Sequence, residues 1–121
     1  MGKVDVVDLD ILRPKKKLVR IGGEEIDVGF IPVAITWEID RLVQELGTFT
    51  EEKITNDTEA QKKALLVSCE MCAAFCYQHE ELTAEWFREN TSVAQIHAFV
   101  EVIKETLTEA YAGIEAYPGN A

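Results

Sequence analysis

From Ala64 to Tyr77 the chain reads ALLVSCEMCAAFCY, and before the closing tyrosine its only polar side chains are Ser68 and Glu70. No glycine or proline interrupts the twenty-odd residues after Asn56, and Asn56 followed three positions later by Glu59 has the form of a capping box. These features predict a helix over about 57–79 whose circumference is apolar almost all the way round. Such a helix is stable in water only when other elements surround it. A chain of 121 residues has enough apolar material for one core, so this helix is expected at its centre and the remaining elements are expected to cover it.

The covering elements are legible from periodicity. Ile35, Ile39, Leu42 and Leu46 recur at helical spacing and predict a first helix over 33–46, closed by a left-handed cap at Gly47. The polar stretch 47–57 is expected to be a mobile loop. Thr83 opens a short helix through Trp86 and Phe87 to about Glu89. Ser92 with Gln95 forms a second capping box, starting a long helix over 93–112 that Gly113 closes. The inner stripe of that helix is predicted as Val93, Ile96, Val100, Ile103, Leu107 and Ala110.

Before the helices the pattern changes to a period of two. Lys16–Ile21 and Glu25–Phe30 flank Gly22-Gly23, a pair able to take the positive φ angles of a tight hairpin turn. The segment 4–12, VDVVDLDIL, alternates apolar with acidic residues and is expected to be extended or an edge strand. The fold class that follows is α+β, mostly α. It is read as a single domain, 1–121, made of a small N-terminal antiparallel β-hairpin (1–31), a compact bundle of three to four helices (32–112) and a loose C-terminal tail (113–121).

The central helix carries all three cysteines, Cys69, Cys72 and Cys76, and on a helix running to residue 79 His79 would share their face. A metal site does not follow. At 1.5 Å rise per residue, Cys69 and His79 lie about 15 Å apart along the axis, whereas zinc needs its ligands within about 2.0–2.3 Å of one point. The Cys-x-x-Cys spacing is not a redox motif either, because those sit at helix amino termini where the dipole lowers the thiol pKa. The thiols are read as small buried hydrophobes that let neighbouring helices approach around Met71 and Phe75.

No motif for chemistry appears elsewhere. His79 and His97 stand apart from any serine or cysteine nucleophile, Gly22-Gly23 lacks the pattern of a phosphate loop, and the carboxylates are dispersed. The expectation is a non-enzyme with no metal and no cofactor. No apolar run reaches the roughly 18–20 residues of a membrane span and no secretory leader opens the chain, so the expected setting is cytoplasmic, without membrane contact.

Charge is divided sharply. Residues 1–20 carry six basic and three acidic side chains, and residues 21–121 carry six basic and nineteen acidic, for a net −10. The acidic body disfavours nucleic acid and favours basic protein surfaces. Arg13, Lys15, Lys16 and Lys17 form the one concentrated positive patch, read either as protection of an edge strand or as a dock for an acidic partner, including a second copy of the chain. Trp37, Trp86 and Phe87 are read either as core or helix-junction anchors or as interface hot spots, and Trp86, Phe87, Phe99 and Val102 are the residues on which an outward apolar surface for a protein partner is expected.

Two pieces of the chain carry a resemblance. The first, RPKKKLVRIGGEEIDVGFIPVAITWEI, leads from a basic strand through a glycine turn and second strand into a helix; the second, LTAEWFRENTSVAQIHAFVEVI, sets a Trp-bearing short helix before a capped amphipathic one. Together they cover a little under half the chain, and the order is similar to that of tail assembly chaperones of long-tailed bacteriophages. The resemblance implies a binding protein of the bacterial host cytoplasm, absent from the mature virion. It implies that the protein holds the tape measure protein soluble and helps recruit tail tube subunits. A structural virion component, such as a minor tail or head-tail connector protein, is the alternative, and an acidic DNA mimic is a third.

Overall fold

The computed structural model describes residues 6–49 and 56–116, with side chains through residue 112. Within them the chain forms strands β1 (Leu18–Ile21) and β2 (Glu24–Asp27), then helices α1 (Val33–Gly47), α2 (Thr58–Phe75), α3 (Ala84–Asn90) and α4 (Val93–Ala116). The fold is an N-terminal antiparallel hairpin followed by helices, α+β and mostly α, as the periodicity predicts.

β1 and β2 pair in the register Leu18 with Asp27 through Ile21 with Glu24. The turn between them needs a positive φ twice, and Gly22 (+58°) and Gly23 (+78°) supply it without a Cβ penalty. Alternation then puts Ile21, Ile26 and Val28 into the core and leaves Leu18 and Arg20 outside. The strands are shorter than the sequence suggests. At the open end the Asp27 carboxylate accepts from the backbone N–H groups of Lys17 (3.2 Å) and Gly29 (2.9 Å). Any residue but proline could supply the second of these N–H groups; glycine is required at position 29 because a Cβ would run into the backbone of Lys15 and Lys17.

α2 is the hub. It packs against α1, α3 and α4, and Val67, Ser68, Cys69, Met71, Cys72 and Phe75 are all buried. Its one buried hydroxyl, Ser68 Oγ, donates to the Ala64 carbonyl at 2.9 Å, so no polar group is orphaned by that burial. The apolar residues of the hairpin and the helices join one continuous cluster, with Ile39, Leu42, Met71, Cys72, Phe87 and Ile103 fully enclosed.

Several boundaries depart from expectation, each for a local reason. Residues 9–12 form a 3-10 turn, capped by the Asp8 carboxylate on the Asp10 N–H, in place of an extended strand, and their side chains are exposed. Gly47 is helical rather than a left-handed cap; the Thr48 hydroxyl and N–H both reach the Glu45 carbonyl and finish the helix without a positive φ. The cap of α2 is Asp57, one residue after Asn56, with its carboxylate accepting from the Glu59 N–H. α2 ends at Phe75, short of His79, because a turn held by His79 N–H to Cys76 O (2.8 Å) and Leu82 N–H to His79 O (3.0 Å) buries Leu82 and delivers Thr83 to cap α3. α4 runs through Gly113, a position where glycine costs about 1 kcal/mol but does not forbid helix. The supposed mobile loop falls largely on residues 50–55, and the end of the C-terminal tail on 117–121, both outside the described residues.

Candidate protein-binding surface

The four aromatic or apolar residues expected to face a partner do not share an outer face. Phe87 (0% exposed) and Phe99 (3%) are core residues, which agrees with the anchor reading of Phe87 and corrects the assignment of both as partner contacts. They belong to a relay of edge-to-face rings, Trp86 to Phe87 at 5.1 Å, Phe87 to Phe99 at 5.9 Å and Phe99 to Phe75 at 6.4 Å, which locks α3, α4 and α2 together. Trp86 is half-buried because its indole lies on Gly22, so closely that any Cβ there would collide with the ring. Val102 is also half-buried, in a shallow cleft between α4 and β1. Phe99 was misjudged because α4 buries a wider face than its predicted stripe: Phe99 and Thr106 turn inward, while Val93 and Ala110 stay exposed.

The basic residues are likewise divided. The Arg13 guanidinium sits 4.0 Å above the Phe30 ring, a cation–π contact that ties the leading segment to the exit of the hairpin. Lys17 turns toward α4, its ammonium 3.3 Å from Glu105 and 3.7 Å from Glu109. Lys15 and Lys16 remain exposed, along a trench of about 570 Å³ between this segment and the C-terminal half of α4. Part of the patch therefore neutralises the chain's own acidic helix, which neither sequence reading anticipated. Lys15 and Lys16 precede β1 rather than lying within it.

A surface that sequence reasoning missed lies between α1, α2 and α4. It is an open trough of about 420 Å³ whose walls are mainly apolar, formed by Leu46, Phe49, Ala64, Leu65, Ile96 and Val100, with Gln61, His97, Glu101 and Lys104 on its margin. The structure leaves Leu65 and Leu66 of α2 36% and 42% exposed although the helix reads as apolar all round, and nothing in that pattern marks which side stays uncovered. An apolar helix with exposed leucines has not been fully covered by its own chain.

The thiols are placed for packing. Cys69, Cys72 and Cys76 are free and buried, and desolvation pushes each thiol upward, Cys76 to about 12 and Cys72 further. Near neutral pH they are protonated, a poor state for nucleophilic attack or metal ligation. His97 is exposed at the trough margin, and His79 lies in the turn between α2 and α3, 3.5 Å from a Glu81 carboxylate oxygen. Among the described residues no helix is long and apolar enough to cross a membrane. Comparison of the chain with family models, curated proteins and solved structures gives no match.

Proposed function

We propose that the protein is a non-enzymatic holder of helices from other proteins, working as a tail assembly chaperone of a long-tailed bacteriophage. On this reading it binds the tape measure protein, helps recruit tail tube subunits in the cytoplasm of the bacterial host, and is absent from the finished particle. The observation that carries the binding reading is the trough between α1, α2 and α4. Its apolar walls and polar margin suit the apolar face of an amphipathic helix, a mode in which residues at i, i+3, i+4 and i+7 enter a groove. The phage setting rests on the resemblance of the two sequence pieces, and the acidic body supplies the solubility that a complex with a long helical client needs.

Leu65 and Leu66 provide the test, because both are exposed leucines of α2 and only Leu65 lines the trough. Co-purification with tape measure and tail tube proteins encoded beside this chain is expected to survive Leu66→Glu. It should weaken by at least about tenfold in Leu65→Glu, the scale of a desolvated contact worth about 1.4 kcal/mol. Equal binding by the two variants would remove the trough from the reading. Recovery of the protein in purified particles would replace the chaperone with a virion component.

A further inference from the structure

The hairpin turn and the α2–α3 connection meet at a junction that the client-binding reading does not use. Trp86, near the start of α3, lies on Gly22 and holds the turn against the helical body. Glu24, the first residue of β2, is thereby brought to His79 and Glu81, and one ligand-type atom from each of the three falls within 4.8 Å of the others. The backbone of Glu24 is fixed independently of that of His79 and Glu81. Glu24 is held by pairing with Ile21, and His79 and Glu81 by the turn in which the His79 N–H reaches Cys76 O and the Leu82 N–H reaches His79 O, with Leu82 buried beneath.

We propose that Glu24, His79 and Glu81 form a binding site for a first-row divalent transition ion such as zinc, which would staple the hairpin turn to the connection between α2 and α3. The donor set is an imidazole with two carboxylates, which suits zinc, manganese or iron; the nitrogen ligand argues against magnesium and calcium, which prefer all-oxygen shells. Ligands about 2.1 Å from one ion lie about 3.4 Å apart. The His79 Nδ1 to Glu81 Oε1 separation is already 3.5 Å. Glu24 and Glu81 are exposed at their tips, so ordinary rotamer changes close the remainder without moving the backbone. Two carboxylates held together at a strongly acidic surface are also relieved by a divalent charge. The remaining coordination positions would be filled by water, and the role is structural.

The experiment is equilibrium dialysis of the full chain, first stripped with chelator, against ZnCl2, with MgCl2 as the control ion. One equivalent of zinc is expected to bind and to raise the unfolding temperature, with no effect of magnesium. Glu24→Gln and His79→Ala should each weaken zinc binding by more than about tenfold while leaving the far-ultraviolet circular dichroism of the zinc-free chain unchanged. Should His79→Ala fail to fold, the exposed Glu24→Gln carries the test alone. Substituting cobalt separates this site from the cysteines: nitrogen and oxygen ligands give no intense near-ultraviolet thiolate band. Absence of stoichiometric zinc, undiminished binding by Glu24→Gln, or a thiolate band would each overturn the proposal. None of these outcomes touches the Leu65 experiment, so the two readings fail separately.

Discussion

α2 and the β-hairpin feed apolar side chains into the same core, but they are kept there by different means. α2 is surrounded by three helices, and its buried face is a property of its own sequence. The hairpin is a four-residue pairing, too short to be stable alone. It stays because other elements fasten it: Trp86 at the turn, Lys17 to Glu105 and Glu109 at the open end, and the Tyr77 hydroxyl to the Phe30 carbonyl at 3.4 Å. A helix buried by its own composition is part of the global cooperative unit. A fastened hairpin is able to open at a lower free energy than the whole molecule.

The largest effect that α2 and the hairpin share is expected at the ring relay. Phe87 is among the largest fully buried side chains and touches both Trp86 and Phe99 edge-on. Phe87→Ala is expected to lower stability by about 3–5 kcal/mol, measured by urea unfolding, with hydrogen exchange accelerated in α2 and hairpin alike. The hairpin-specific counterpart is Gly22→Ala, which forces a side chain into a positive φ and against the Trp86 indole. It is expected to cost about 1–3 kcal/mol. Hydrogen exchange should show amides of β1 and β2 opening while those of α2 keep their protection. Uniform loss of protection in Gly22→Ala would break the distinction and make the hairpin part of the global unit.

What the sequence revealed follows the same division. α2 was readable because its periodicity, length and composition are local signals that all point to one burial state, and the reciprocal bonds of Ser92 and Gln95 at α4 were readable from two residues three apart. Contacts that depend on chain meeting chain were not. Nothing in the neighbourhood of Phe87 or Phe99 says that each ring will find the other, and Trp86 gave no sign that Gly22 would receive it. Glu24 and His79 are distant in sequence, so their meeting at Glu81 was not legible, and the separation of Arg13 from Lys17 depends on where Phe30 and α4 come to lie. The trough was invisible for the opposite reason: it is a place where packing stops, and an incompletely covered helix has the same pattern as a covered one.

The smallest effect tests the reading of α2 as dry interior by way of its two thiols and that of Cys76 at its C-cap. In the unfolded chain a cysteine ionises near its ordinary value of 9.0, whereas burial holds Cys76 protonated to about 12 and also raises Cys69 and Cys72. Below pH 9 both states keep the proton and the thiols contribute no pH dependence. Above it the unfolded state binds fewer protons than the native one, so stability falls as pH rises through the window from 9 toward 12. The slope has a ceiling of about 1.4 kcal/mol per pH unit for each thiol. Cys76→Ala removes one contributor, and its urea midpoint should therefore decline less steeply than that of the unaltered chain between pH 9 and 10.5. A control in the hairpin, Arg20→Ala, breaks an exposed ion pair with Glu25 and should leave that slope unchanged. If Cys76→Ala kept the full alkaline slope, the sulfur would have to be ionising in the native state, and the thiol face of α2 would be reached by water rather than sealed by its three neighbouring helices.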